Sequence, residues 1–276
     1  MNLPCVFIWI AGLYFTIFKQ KGRYRIFGWA YLFVIALLLY FQGKNYYALG
    51  IYPVLFAFGA YHLEQFATRH SKVWKYAFFI IPLAIGIPIV PLMLPVAKPE
   101  SLSAYYKARH IENIGFLKWE DLKNHALPQD FADMLGWKEM SQKTANAFAT
   151  LTAEEKKRTI IFCDNYGQAG AVNYYGKHFG LPKAYSDNAS FLYWLPYVLH
   201  IDHIVLVTDD PEEMQHDFLK DFASVTLSDR VTNEYAREKG SLILVLKGAN
   251  EKFNEMFRQK IEKDKSKFQL INISFN

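Results

Sequence analysis

Residues 76–97 read YAFFIIPLAIGIPIVPLMLPVA and contain no charged side chain. A stretch of about 20 apolar residues is long enough to cross the hydrocarbon core of a bilayer as a helix. Lipid offers no hydrogen-bond partner to the backbone, so a spanning segment must satisfy its own amide groups, which a helix does. The stretch therefore predicts a transmembrane helix, with a buried helix of a soluble core as the alternative.

Three further runs without charge precede this stretch, at residues 1–18, 26–43 and 45–63. Each of them is also close to the length of a membrane span. Four such runs within residues 1–98 are more than the core of a soluble protein is expected to contain. The sequence therefore predicts an α-helical transmembrane bundle of four spans over residues 1–98.

The distribution of charge divides the chain at the same place. Residues 1–98 contain nine of the 31 Lys and Arg but only one of the 26 Asp and Glu, so their formal charge is +8 and that of the remainder is −3. The positive charges alternate with hydrophobic runs instead of covering a polar face, which argues against a nucleic-acid partner. Cytoplasmic loops carry an excess of Lys and Arg. Residues 19–25 and 69–75 are therefore expected on the cytoplasmic side of the cytoplasmic membrane, and residues 99–276 on its outer side.

The second part of the chain is predicted to be a connector over residues 99–135 and an extracytoplasmic, periplasmic α/β domain over residues 136–276. Short β-rich apolar runs at Thr159–Cys163 and His203–Thr208 alternate with helical patterns. Such alternation is typical of helices layered on a sheet. The two cysteines of the chain are too few for a disulfide framework or a Cys-rich zinc site.

Local signals predict where several of these elements begin. Thr152 and Glu155 have the spacing of a capping box, which opens a helix. Asp210 followed by Pro211 is expected to begin another helix, with the aspartate as its cap. Residues 268–274 are predicted to form the last strand.

Polar residues follow the two central strands of this domain. Asp164, Asn165 and Tyr166 come directly after the first strand, at the kind of sheet edge where α/β proteins bind ligands. We consider them a candidate ligand loop, although capping of the next helix by Asn165 explains the pattern better. Asp209 and Asp210 are candidates for metal ligation or acid–base chemistry, and capping again explains them better.

Histidines add no metal site to this prediction. His200 and His203 flank Asp202, but no Glu or Cys stands near them at the spacing of a ligand set. We therefore expect no metal site and assign no cofactor to the chain.

The loop between the second and third uncharged runs reads GKNYYALGIYP over residues 43–53. Lys44 is the single charge of this loop, and Tyr46 and Tyr47 follow it. An ammonium group at the level of the lipid headgroups can bind a lipid phosphate as a point charge. The alternative is an ordinary interfacial lysine within an aromatic belt.

This G-K-x-Y-Y-x-x-x-x-Y-P pattern resembles the family 39 membrane glycosyltransferases of the GT-C fold, which include protein mannosyltransferases and the aminoarabinose transferase of lipid A. Residues 164–171, DNYGQAGA, together with Tyr174, Tyr175 and Gly176, resemble the external carboxyl-terminal domain of bacterial members. The resemblance implies transfer of a sugar from a polyprenyl-phosphate donor to an extracytoplasmic acceptor. It implies that Lys44 and Tyr47 lie at the lipid-phosphate cavity.

The chain departs from the family pattern at the catalytic acid. The family carries this acid in its first external loop, whereas residues 1–4 here read MNLP. Glu64 is the only acid of residues 1–98 and is expected at the cytoplasmic end of its helix. We therefore assign no catalytic residue and expect the carboxyl-terminal portion of such an enzyme, inactive alone, with an amino-terminal half supplied by another chain as one option.

The resemblance also leaves open a divalent metal in the complete enzyme. The alternative function is of a different class. It is a non-catalytic, membrane-anchored extracytoplasmic domain that binds a protein or a glycan.

Overall fold

A computed structural model of the protein describes residues 3–19, 22, 24–43, 45–196 and 200–273. The chain divides into two compact units, Met1–Ala97 and Lys98–Asn276.

The first unit is helical. Its helices are α1 (Val6–Tyr14), α2 (Arg25–Tyr40), α3 (Tyr52–His70) and α4 (Val73–Met93). A short 3-10 segment, Leu3–Cys5, precedes α1, and a π-helical turn, Phe15–Lys19, continues it. A second 3-10 segment, Asn45–Ile51, leads into α3.

The predicted bundle of four transmembrane spans is wrong. Within the described residues, α4 alone is long and apolar enough to cross a membrane, judged by length and composition. The apolar helices Val6–Lys19 and Arg25–Tyr40 are shorter, and the 16 residues of α2 extend only about 24 Å, against roughly 30 Å of hydrocarbon.

Two physical reasons explain the error. First, a run without charge need not be one continuous helix. In the third run, the 3-10 segment Asn45–Ile51, which contains Gly50, comes first, and α3 begins only at Tyr52, with Pro53 in its first turn. The carboxyl-terminal half of α3 then carries Glu64 and Arg69, which lower its apolar character.

Close packing of α1 against α3 organises this unit. A Cβ atom built on Gly12 would lie 1.9 Å from the carbonyl oxygen of Leu55, and one built on Gly59 would lie 1.9 Å from the carbonyl oxygen of Ile8. The two glycines therefore allow the backbones to touch, as small residues do at helix crossings. Trp9, also on α1, contacts the ring of Tyr52 on α3 at 5.8 Å between centroids.

The second unit combines helices with one sheet. Its helices are α5 (Pro99–Ala108), α6 (Gln129–Ala132), α7 (Trp137–Ala149), α8 (Ala153–Lys157), α9 (Tyr166–Tyr175) and α10 (Glu251–Ile273). Its strands are β1 (Thr159–Cys163), β2 (Ala184–Tyr185), β3 (His203–Thr208), β4 (Phe222–Arg230) and β5 (Leu242–Ala249).

The five strands form a mixed sheet in the order β2-β1-β3-β5-β4. β1 is parallel to both β2 and β3, whereas β5 is antiparallel to β3 and to β4. Successive side chains of a strand point to opposite faces, and both faces of the central strands are buried. One face packs around Met140 of α7 and Val172 of α9, and the other around Phe253 and Ile261 of α10.

The structure confirms one of the local signals and contradicts another. The capping box is confirmed: the hydroxyl of Thr152 accepts from the amide of Glu155, whose carboxylate accepts from the amide of Thr152. The strand predicted over residues 268–274 is wrong, because α10 continues to Ile273. Ser274 lies outside the described residues. Just before this stretch, Lys267 pairs with Asp264 one helical turn earlier at 2.6 Å.

The helix predicted from Asp210 is also wrong. The carboxylate of Asp210 accepts from the amide of Glu212 at 2.8 Å, which closes a tight turn two residues long. Only a 3-10 turn, Glu213–Gln215, follows it.

Glu139 on α7 holds the segment that follows β4. Its two carboxylate oxygens accept from the amides of Thr232 at 2.8 Å and Asn233 at 3.0 Å, and Lys143 lies 2.9 Å away. Partial burial acts to raise the pKa of Glu139, but the hydrogen bonds from Thr232 and Lys143 outweigh it and lower the pKa to about 2.

The first prediction concerns the pH dependence of this contact. The folded-state pKa of Glu139 lies below that of the unfolded chain, so its carboxylate stabilises the fold above about pH 4.5 and less as the pH falls towards 2. We expect Glu139→Gln to cost about 2 kcal/mol at pH 7 and progressively less below pH 4.5, measured as the free energy of urea-induced unfolding.

Glu154 provides the control, because it is exposed and, among the described residues, its one ion pair is with Lys157 across one helical turn. Glu154→Gln is expected to change the stability by less than about 0.5 kcal/mol. An equal cost of Glu139→Gln at pH 3 and pH 7 would contradict the assignment.

Candidate functional site

The carboxyl ends of β1 and β3 meet at one edge of the sheet. The two strands are parallel neighbours in which Cys163 is aligned with Val207. The amide of Asp164 continues this pairing by donating to the carbonyl of Val207 at 3.0 Å. The polar residues that follow both strands are therefore brought together, as in the ligand sites of other α/β sheets.

One group of these residues lies on the side of α9. Asn165 is the amino-terminal cap of α9, since its side-chain oxygen accepts from the amide of Gln168 at 2.9 Å. The side-chain amide of Gln168 donates to Asp209 at 3.2 Å and to Glu238 at 2.9 Å. Burial raises the pKa of Glu238. These hydrogen bonds connect the start of α9 with Asp209, directly after β3, and with Glu238, and so they support the fold.

A second group lines a cleft of about 480 Å³ on the side of α10. The apolar wall of the cleft includes Phe162, Leu206, Phe253 and Phe257. The polar residues of its lining are Asp164, Asp210, Glu213, His216 and Lys260. A concave apolar surface with a few convergent polar groups is the usual form of a ligand site.

Three polar side chains of the cleft are close neighbours. A carboxylate oxygen of Asp210 lies 3.1 Å from Nε2 of His216. Glu213 accepts a hydrogen bond from the hydroxyl of Thr208 at 3.2 Å. One ligand atom from each of Asp210, Glu213 and His216 lies within 4.8 Å of the others, so the three residues form a group able to hold a metal ion.

The electrostatics of the cleft are dominated by acids. Burial, helped by the charges of Glu213 and Asp209 and opposed by a hydrogen bond from Thr208, raises the pKa of Asp164 to about 6. Burial also raises the pKa of Glu213. Lys260 is already paired with Asp187 at 2.5 Å.

The sequence-predicted ligand loop is only partly drawn into this cleft. Asp164 lines it, whereas Asn165 caps α9 and Tyr166 lies largely exposed in the first turn of that helix. Glu213 and His216 were missed. Their signal in the sequence is the spacing of Asp210, Glu213 and His216, three residues apart each time. Asp210 and Pro211 are also typical of a helix start, which is the prediction made above.

The predicted lipid-phosphate residues belong to the first unit. Lys44 lies outside the described residues. Tyr46 and Tyr47 lie in the 3-10 segment Asn45–Ile51, with their rings 4.8 Å apart, and both side chains are exposed. Glu64 is paired with Lys75 at 3.3 Å.

The histidines next to Asp202 have structural partners. His200 lies 3.4 Å from Asp202, and the ring of His203 accepts from the amide of Gly248 at 3.1 Å. Neither belongs to the three-residue group of the cleft.

Comparison of the chain with protein-family models, with curated proteins and with solved structures gives no match.

Proposed function

We propose that this chain is the carboxyl-terminal portion of a membrane glycosyltransferase that transfers a sugar from a polyprenyl-phosphate donor to an extracytoplasmic acceptor. The observation that carries the proposal is the exposed pair Tyr46 and Tyr47, which directly follows Lys44 and Asn45. A lysine that precedes two exposed tyrosines in the sequence is suited to a lipid phosphate, because an ammonium group binds the anion and aromatic rings are typical of the headgroup level.

The surface of the first unit supports contact with lipid. Leu39, Tyr40 and Phe41, at the end of α2 that leads towards Lys44, are exposed over 72–81% of their surface. None of the described residues of α4 is buried. Large continuous apolar surfaces are rare on soluble monomers and are typical of proteins that contact a membrane or a partner.

The charges around α4 support an extracytoplasmic second unit. Arg69, Lys72 and Lys75 lie at its amino-terminal end, and Lys98 is the single basic residue just beyond its carboxyl-terminal end. The end of a span with more Lys and Arg faces the cytoplasm. This argument depends on α4 alone and not on the number of other spans.

The second prediction tests the lipid-phosphate site. The protein in nanodiscs is titrated with undecaprenyl phosphate, and binding is followed by the change in intrinsic fluorescence. We expect Lys44→Ala to weaken binding about tenfold, because a charge-assisted contact with a phosphate contributes roughly 1.5 kcal/mol or more. Lys72→Ala is the matched control, since Lys72 lies at the opposite end of α3 and is expected to leave the affinity unchanged.

Equal effects of the two substitutions, or no binding of undecaprenyl phosphate at all, would contradict the proposal and favour a membrane-anchored binding domain. The chain itself is expected to show no sugar transfer, because none of its residues matches the catalytic acid of the family. Turnover by the purified chain that is lost in Lys44→Ala would support the loop and contradict this expected inactivity.

A further inference from the structure

We propose that Asp210, Glu213 and His216 form a binding site for a divalent transition-metal ion in the cleft on the side of α10. The proposal concerns the second unit alone and does not depend on the lipid-phosphate site. It rests on the donor set, on the charge within the cleft and on the burial of Glu213.

The donor set is complete without any large rearrangement. The three ligand atoms already lie within 4.8 Å of one another. Bound Zn²⁺ places its nitrogen and oxygen ligands at about 2.0–2.2 Å, so rotation of side chains by a small amount brings all three to a common centre. The tight turn that Asp210 closes, followed by the 3-10 turn Glu213–Gln215, places the three side chains on one side of a short segment.

The burial of Glu213 is the second observation. Its side chain is only 5% exposed, and it lines the cleft. One of its oxygens accepts from Thr208, and within the described part of the chain neither a Lys nor an Arg pairs with it. A buried carboxylate without a cation is costly, because the low-dielectric surroundings solvate it poorly. A metal ion at this position supplies the missing positive charge.

The neighbouring groups make this need greater. The charges of Glu213, Asp209 and Asp187 all act on Asp164, and the charge of Asp210 acts on Glu213. Among the described residues, Lys260 is the only Lys or Arg that lines the cleft, and its ammonium group pairs with Asp187 and not with Asp210 or Glu213.

The chemistry of the donors selects the class of metal. Carboxylates alone suit Ca²⁺ and Mg²⁺, whereas an imidazole suits Zn²⁺ and other transition metals. Two carboxylates with one imidazole therefore favour Zn²⁺ over Ca²⁺. Three protein ligands leave at least one coordination position for water or for an oxygen of a bound ligand.

The third prediction is the test of this site. The full chain, freed of metal with a chelator, is titrated with Zn²⁺ by calorimetry. We expect one Zn²⁺ per chain, and we expect His216→Ala and Glu213→Gln each to weaken its binding about tenfold or more. Ca²⁺ at a large excess over Zn²⁺ is expected not to compete.

His125 supplies the matched control. It forms a similar pair with a carboxylate, with Nε2 2.9 Å from Asp121, but this pair belongs to no three-residue group among the described residues. His125→Ala is expected to leave Zn²⁺ binding unchanged. Hydrogen exchange of the β1 and β3 amides reports whether each variant keeps its fold. If Glu213→Gln unfolds, Zn²⁺ binding by His216→Ala still tests the site, because His216 is partly exposed and its replacement disturbs the fold less.

Absence of stoichiometric Zn²⁺ binding overturns the proposal. So does equal weakening in His125→Ala, because binding would then depend on histidine–carboxylate pairs in general. Displacement of bound Zn²⁺ by an equal concentration of Ca²⁺ overturns the role of the imidazole.

Discussion

Replacement of Gly12 by alanine is expected to separate α1 from α3 and to destabilise the first unit by about 3 kcal/mol. The added Cβ would lie 1.9 Å from the carbonyl oxygen of Leu55, which is backbone and has no rotamer to adopt instead. Relief requires the two helices to move apart, and the neighbouring contact of Trp9 with Tyr52 is then lost. Hydrogen exchange of the α1 and α3 amides in the full chain measures the effect, with the sheet of the second unit as internal reference.

Gly86 is the matched control because it also lies inside a helix of this unit. A Cβ on Gly86 would meet only Pro4, at an ordinary contact distance of 3.8 Å. Gly86→Ala is expected to be neutral or to stabilise the protein by up to about 1 kcal/mol, since alanine favours a helix. If Gly12→Ala and Gly86→Ala behave alike, the close crossing of α1 and α3 is not the basis of the packing.

Asn254→Leu is expected to destabilise the second unit by about 3 kcal/mol. Asn254 is 1% exposed, and its side chain accepts from the amide of Ile201 at 2.7 Å and donates to the carbonyl of the same residue at 3.0 Å. Leucine fills a similar volume but leaves both buried backbone groups without a partner, each at a cost of roughly 1–3 kcal/mol. The loss is measured as faster hydrogen exchange in β3 and α10.

Gln259 on the same helix is the control. Its hydrogen bond to Glu255 is exposed, at 3.2 Å, so Gln259→Ala is expected to cost less than about 0.5 kcal/mol. A cost of Asn254→Leu as small as that of the control would show that water replaces the lost partners and that this side chain does not fasten α10 to the start of β3.

The α/β character of the second unit could be predicted because it depends on local patterns. The runs Thr159–Cys163 and His203–Thr208 are apolar and β-branched, and both are strands with the predicted bounds. The antiparallel attachment of β5 to β3 could not be predicted, because the pairing partner of a strand is chosen by contacts distant in sequence.

The errors in the first unit and at Asp210 have a common cause. Absence of charge in a run of residues says little about where helical hydrogen bonding begins and ends: α1 covers only half of the first run, and α2 begins at Arg25, before the second run, and ends three residues before that run does. The pattern of Asp210 and Pro211 is typical of a helix start, but the carboxylate of Asp210 accepts a hydrogen bond from the amide of Glu212, two residues away, and so closes a turn. Side-chain hydrogen bonds of this kind compete with the helix and are decided by local geometry.

The candidate site shows the same division. The sequence indicated that polar residues follow β1 and β3, and parallel strands necessarily bring such residues to one edge. It indicated that Asn165 caps α9, but not that Asp209 would bond to the α9 side while Asp164 and Glu213 would line the cleft.

The sequence by itself determined the boundary between the apolar and the mixed parts of the chain, the central strands, and the helix caps at Thr152 and Asn165. These depend on hydropathy and on hydrogen bonds within a few residues, which are present in any window of the chain. Only the tertiary structure decided that Gly12 meets α3 and that His216 joins Asp210 and Glu213 in a cleft closed by α10. Both arrangements arise from the packing of whole elements, and the free energy of such packing is shared among residues far apart in the sequence.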